Sequence, residues 1–118
     1  MHEYSLTQNI IETAERYAKA GTEKGGSDIR VKKIVLVIGE ASGVSGESIE
    51  LYFDIIAANT LCEGARLEIE SVKPQLQCKT CGAFFERKPF SFECPCGGEG
   101  APTGIGREFY VKQIEVEQ

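Results

Sequence analysis

A single histidine stands in 118 residues. With no second imidazole to serve as a general base and no nucleophile beyond its thiols, the chain offers no catalytic pair and is expected not to be an enzyme. Long hydrophobic runs are also missing, since the longest aliphatic run, Ile34 to Ile38, falls far short of the roughly 20 residues that cross a bilayer. No membrane segment is expected, and polar His2 and Glu3 at the start speak against a targeting sequence. Basic excess is absent: Lys plus Arg total 13 against 18 for Asp plus Glu, a formal net charge of −5. A phosphate backbone would find no cationic stripe, so no nucleic-acid partner is expected. There is no internal repeat and no low-complexity tract. The chain reads as a soluble, cytoplasmic protein.

What is present begins with length. A chain of this size buries roughly two thirds of its unfolded surface and holds one domain with at most a small appended module. Five cysteines make an odd count, and four of them fall between positions 78 and 96. In a reducing compartment such a cluster points to a metal rather than to disulfides.

The apolar periodicity predicts two helices and three strands. Leu6, Ile10, Ala14, Tyr17 and Ala18 recur at helical spacing, with Ser5 and Gln8 placed to form a capping box and Gly21 to end the helix. Thr22 to Asp28 reads as a polar loop. Ile29 to Ile38, closed by Gly39, reads as a strand buried on both faces. Ala41 to Gly46 is turn material, after which Ile49, Tyr52, Phe53 and Ile56 mark a second amphipathic helix, left at Asn59 or Gly64. Ala65, Leu67 and Ile69 alternate with Arg66, Glu68 and Glu70, a strand with one dry face. In the last stretch Phe109 and Val111 are out of phase with Ile114 and Val116, so a bulge near Lys112 or Gln113 is needed to turn both pairs inward.

Cys78-Lys79-Thr80-Cys81-Gly82 has knuckle form: two residues between thiolates let both sulfurs face one ion, and the glycine lets the backbone turn its N–H groups toward sulfur. Cys94-Pro95-Cys96-Gly97 follows, one residue shorter than the usual pair. Cys78, Cys81, Cys94 and Cys96 together predict a closed, structural Zn²⁺ site, with Cys96 the least secure ligand. Cys62 is expected to be a buried apolar residue. Phe84, Phe85, Phe90 and Phe92 are expected to form the small core of this module. Pro74 on one side and Gly97 to Gly106 on the other are expected to be hinges.

The lone histidine has its own chemistry. The α-amine of Met1, a deprotonated backbone amide and the imidazole of His2 can close chelate rings about one ion, with Glu3 adding its amide or carboxylate. A planar nitrogen set suits Ni²⁺ or Cu²⁺. The bulky second residue is expected to leave Met1 in place, and binding should weaken on acidification because protons compete for the same nitrogens. An exposed, unremarkable histidine is the plain alternative. The zinc deaminase pattern is not met, because His2 and Glu3 are adjacent and Pro95-Cys96 lacks the second cysteine.

Met1-His2-Glu3-Tyr4-Ser5-Leu6, Ile38-Gly39-Glu40, Leu61-Cys62-Glu63-Gly64-Ala65, the cysteine pairs, and Gly106-Arg107-Glu108-Phe109 running into Ile114-Glu115-Val116-Glu117 occur in the order found in one family. The chain resembles the HypA/HybF family of hydrogenase maturation nickel chaperones over nearly its full length. The resemblance implies an α+β fold, two helices packed on a three-stranded sheet with an inserted zinc-ribbon-like module. It implies an α/β nickel-binding domain over 1–72 and 107–118 with a zinc-binding domain at 73–106. Nickel would be held by Met1, His2 and Glu3, zinc by the four cysteines. Nickel would pass to the [NiFe]-hydrogenase large subunit alongside a nickel-handling GTPase partner, and a urease pathway is a further candidate. Glu40 would be near the nickel or a plain solvated carboxylate. The hinges would permit a homodimer by exchange. The alternative class is a zinc-ribbon adaptor for proteins or nucleic acid, carrying one zinc and ignoring nickel.

Overall fold

A computed structural model describes residues 2–21 and 29–117. Helix α1 spans His2–Ala20, strand β1 Arg30–Gly39, helix α2 Gly46–Ile56 and strand β2 Arg66–Val72. Strands β3 (Gln75–Cys78), β4 (Phe84–Glu86) and β5 (Gly100–Pro102) come next, and β6 (Phe109–Glu117) closes the chain. Among the described residues these strands form two three-stranded sheets, β2-β1-β6 and β4-β3-β5. The expected polar loop, Thr22 to Asp28, lies outside the described residues.

The fold is α+β, as expected. α2 connects β1 to β2, which run parallel, and β6 pairs antiparallel with the other side of β1. The core lies between one sheet face and the two helices: Ile34, Leu36 and Ile38 meet Ile10, Ile11, Ala14 and Ala18 of α1 and Ile49, Phe53 and Ala57 of α2. The predicted bulge is present, because Gln113 faces Val35 and Val111 faces Leu36, leaving Lys112 without an opposite residue. Val111 and Ile114 therefore both pack on the core. A second irregularity, at Lys32, does the same for Val31.

β1 is buried on both faces although the helices cover only one. Val35 and Val37 lie on the other face, which also carries two ion pairs: Lys33 Nζ of β1 to Glu68 Oε2 of β2 at 3.1 Å, and Lys112 Nζ of β6 to Glu70 Oε1 of β2 at 3.0 Å. The aliphatic arms of these residues replace a second layer.

Three expectations need correction. Helix α1 does not start after Ser5; it starts at His2, so Ser5 and Gln8 lie inside it and form no capping box. Tertiary contacts carry the helix to the terminus, since the Ser45 N–H donates to Glu3 Oε2 at 3.2 Å and the Tyr4 ring meets the Tyr52 ring edge-on at 5.4 Å. Tyr17 is exposed rather than part of the apolar stripe, which centres on Thr7, Ile10, Ile11, Ala14 and Ala18. The four phenylalanines of the cysteine segment do not form a core: Phe84 and Phe92 are about half exposed, at 55% and 50%, and Phe90 is fully exposed at 106%. Strands of three and four residues enclose too little space for four rings. Only Phe85 is half buried, against Gly100, while Leu76 and the sulfurs of Cys78 and Cys94 fill the rest.

The two sheets meet at a close backbone contact. A Cβ on Gly39, at the end of β1, would lie 2.0 Å from the Gly106 carbonyl oxygen, and one on Gly106 would lie 2.5 Å from Pro74 Cα. Gly106 also has φ +101°, a conformation open to glycine. The turn after β1 pins both passages between the sheets: the Glu40 N–H donates to the Val72 carbonyl at 2.8 Å and the Ala41 N–H to the Gly106 carbonyl at 2.7 Å. Of the expected hinges, Pro74 and Gly97 to Gly106, the Gly106 end is held by the Ala41 N–H, and the chain two residues ahead of Pro74 by the Glu40 N–H.

Candidate metal centres

Four cysteines converge beside the second sheet, Cys78 at the end of β3 and Cys81, Cys94 and Cys96 in the loops between its strands. The ligand sulfurs of Cys78, Cys81, Cys94 and Cys96 all lie within 4.8 Å of one another. Cys78 Sγ is 3.5 Å from Cys96 Sγ, and Cys81 Sγ is 3.7 Å from Cys94 Sγ. A tetrahedron with Zn–S bonds of about 2.3 Å has edges of about 3.8 Å, so the donor set and its spacing fit a four-thiolate zinc site. The short Cys94-Pro95-Cys96 pair does not keep Cys96 out of the cluster. Its turn closes through Gly97, whose N–H donates to the Cys94 carbonyl at 2.8 Å with φ +94°.

Backbone N–H groups surround the sulfurs as the knuckle form requires. Those of Thr80 and Cys81 each donate to Cys78 Sγ at 3.3 Å, and that of Gly98 to Cys96 Sγ at 3.4 Å. The Cys81 N–H is the chief reason that the Cys78 thiol is pulled down to about 6, with the Thr80 N–H and neighbouring thiols adding to it against burial. Cys94 moves the other way: the Cys96 N–H lowers it, but loss of water and the three neighbouring sulfurs push it up to about 12. Cys96 is raised as well, the sulfurs of Cys78 and Cys81 outweighing the Gly98 N–H. Clustered thiols hold one charge easily and further charges only beside a cation, which is what a dication supplies.

Cys62 stands apart from this cluster, fully buried in the main core with its thiol pushed up to about 11 by burial. It is the apolar residue expected.

At the other candidate centre, His2 is exposed and Glu3 half buried in the first turn of α1, while Met1 lies outside the described residues. The first N–H groups of a helix have no intrahelical acceptor, so the His2 and Glu3 amides are not needed by the helix. The Glu3 carboxylate is committed elsewhere: it receives the Ser45 N–H at the start of α2, and that bond, then Glu3's own N–H, holds its carboxyl below the ordinary range. Ser45 also caps α2 through its hydroxyl, which accepts from the Ser48 N–H at 3.3 Å. The Glu3 contact was not legible from spacing, because Glu3 and Ser45 are distant in sequence; the cap was, as a serine directly ahead of an amphipathic run.

Both centres are reached from the same end of the main sheet. Glu3 joins α1 to Ser45, Gly46 at the start of α2 sits over Ile38 and Ile69, and the second sheet leaves from Val72 and returns beside Gly39. Glu40 is exposed there and lines an open groove with Pro74, Arg87 and Phe92. It makes no metal cluster with other ligand groups among the described residues.

One residue that shapes the cluster did not stand out in the sequence, and one that did stands away from it. Gly98 presses on the cluster so closely that a Cβ there would lie 2.7 Å from Cys78 Sγ. Phe90 holds φ +60°, a conformation that costs a bulky residue roughly 1–2 kcal/mol, at a position where its ring touches solvent alone. Among the described residues no helix is long and apolar enough to cross a membrane.

The profile of the family described as "Hydrogenase/urease nickel incorporation, metallochaperone, hypA" matches residues 1–116. The chain is 43% identical over 119 residues to the hydrogenase maturation factor HypA of Caldanaerobacter subterraneus subsp. tengcongensis, covering 99% of this chain and 100% of that one. It is 40% identical to the factor of the same name from Geobacter sulfurreducens, again over 99% and 100%. Among solved structures it is similar to a solution structure of a HypA protein, with TM-score 0.68, 25% identity and coverage of 98% and 95%. It is also similar to the Ni metallochaperone HypA from Helicobacter pylori, with TM-score 0.61, 26% identity and coverage of 96% and 95%. Matched along its whole length by profile, sequence and fold, the chain belongs to the HypA family of nickel-incorporation metallochaperones for hydrogenase and urease.

Proposed function

We propose that this chain carries one Ni²⁺ on nitrogens of its N-terminus and delivers it for maturation of [NiFe]-hydrogenase, with no turnover chemistry of its own. The Met1 amine, the His2 amide and imidazole and the Glu3 amide form the planar donor set that suits Ni²⁺. The observation that carries this reading is that the sole imidazole of the chain sits in the first helical turn, beside amides that the helix does not use. Because the Glu3 carboxylate is engaged by Ser45, the Glu3 amide is the donor in this account. Residues 1–72 and 107–118 carry the cargo. Residues 73–106 are a module folded around a structural Zn²⁺ on Cys78, Cys81, Cys94 and Cys96, supported by the spacing of the sulfurs. The partners are the hydrogenase large subunit and a nickel-handling GTPase, and urease is served by the same cargo where it is present.

Metal analysis of untagged protein tests this. One zinc and one nickel per chain are expected, with His2→Ala losing nickel and keeping zinc. One zinc with no nickel uptake by the unsubstituted protein would leave an adaptor built on a zinc ribbon.

A further inference from the structure

Helix α2 turns an apolar and acidic face to solvent. Its exposed positions are Glu47, Glu50, Leu51, Asp54, Ile55 and, just past its end, Ala58, a series at steps of three and four that forms one stripe. Ile49, Phe53 and Ala57 occupy the opposite, buried side. Leu51 and Ile55, one turn apart, are 63% and 64% exposed, so two large aliphatic side chains stand side by side in water. Every charged residue of the helix is acidic, and among the described residues none of Glu47, Glu50 and Asp54 enters an ion pair. An aliphatic ridge edged by unneutralised carboxylates is complementary to an apolar groove edged by lysine and arginine.

The position of the ridge argues for what fills it. Ser45, which opens α2, holds Glu3 of the nickel-carrying terminus. At 1.5 Å per residue, Leu51 and Ile55 lie about 9 and 15 Å along the axis from that point. A protein seated on the ridge stands next to the cargo. The other exposed apolar group, Phe84, Phe90 and Phe92, is interleaved with Glu86, Arg87, Lys88 and Glu93 and so selects no charge in a partner.

We propose that the outer face of α2 is the docking surface for the protein that receives the nickel, the hydrogenase large-subunit precursor, with Leu51 and Ile55 as anchors and Glu47, Glu50 and Asp54 as the steering rim. This inference rests on the nickel-delivery reading for the identity of the partner, and its test is run without nickel so that the two fail separately.

The experiment measures binding of purified large-subunit precursor to the full-length, zinc-loaded chain by biolayer interferometry at low and moderate salt. The expected result is that L51S/I55S weakens binding by at least about tenfold. E50Q/D54N should flatten the salt dependence of association, and F90A should bind as the unsubstituted protein does. Circular dichroism melts and zinc content of each variant separate lost docking from lost folding; if L51S/I55S melts early, E50K/D54K takes its place and must weaken binding. An L51S/I55S protein that folds and binds within twofold would overturn the proposal. So would no binding by the unsubstituted chain, or loss in F90A instead. Normal docking with no nickel uptake would sink the cargo reading and leave the surface standing.

Discussion

At the scale of single residues, the four-cysteine cluster owes its shape to groups outside it. Gly98 leaves no room for a methyl group beside Cys78 Sγ and Thr80 Oγ1. Gly98→Ala should weaken zinc by on the order of tenfold in a chelator competition, the low end of what disturbed supporting contacts cost a metal site. Unchanged retention would mean that the knuckle yields easily. The thiols also set a pH dependence. Cys78, at about 6, is already a thiolate at neutral pH, whereas Cys94, at about 12, and Cys96, also raised, must release protons when metal binds. Zinc affinity should therefore fall with falling pH, by about two log units or more per pH unit near neutrality, and more steeply below about 6 as Cys78 also takes up a proton. Affinities measured by competition at several pH values would show a flat profile if the sulfurs were not the ligands. Phe90 behaves in the opposite sense to a core residue: with its ring in water and φ at +60°, Phe90→Asn should leave the melting temperature unchanged or raise it. A fall of several degrees would show that the ring has a structural partner.

At the scale of elements, periodicity was enough for the main sheet and both helices. The out-of-phase pairs Phe109/Val111 and Ile114/Val116 announced a bulge, and the unpaired Lys112 is that bulge. Local pattern failed where distant residues decide. Ser5 and Gln8 look like a cap, yet Glu3 and Tyr4 find Ser45 and Tyr52 on the other helix and draw the helix out to His2. Four phenylalanines in a short segment look like a core, but the segment's strands are too short to enclose them, and three remain outside. The cysteine cluster was legible because metal geometry, unlike packing, is written in spacing. The joint between the sheets was not, since Gly39 meets Gly106 only through the fold. Gly39→Ala would drive a Cβ into a backbone carbonyl 2.0 Å away. It should destabilise the chain by about 3 kcal/mol in urea unfolding, the upper range for an overpacked site; a change near zero would show that the joint opens freely.

At the scale of the whole molecule, the topology gathers what a carrier needs at one end of the sheet. The first turn of α1, the cap of α2, Glu40 and both passages to the cysteine module converge there. In the proposed division a thiolate cage shapes the module, while the proposed cargo ligands belong to the terminus, where His2 is exposed. This division makes the α-amine the group on which the account depends. The most direct test is calorimetric titration of nickel into zinc-loaded protein carrying two extra residues ahead of Met1, with His2 and Glu3 left in place. Loss of high-affinity uptake with zinc still bound is the predicted result; nickel binding with the same stoichiometry and affinity as the unextended chain would contradict it.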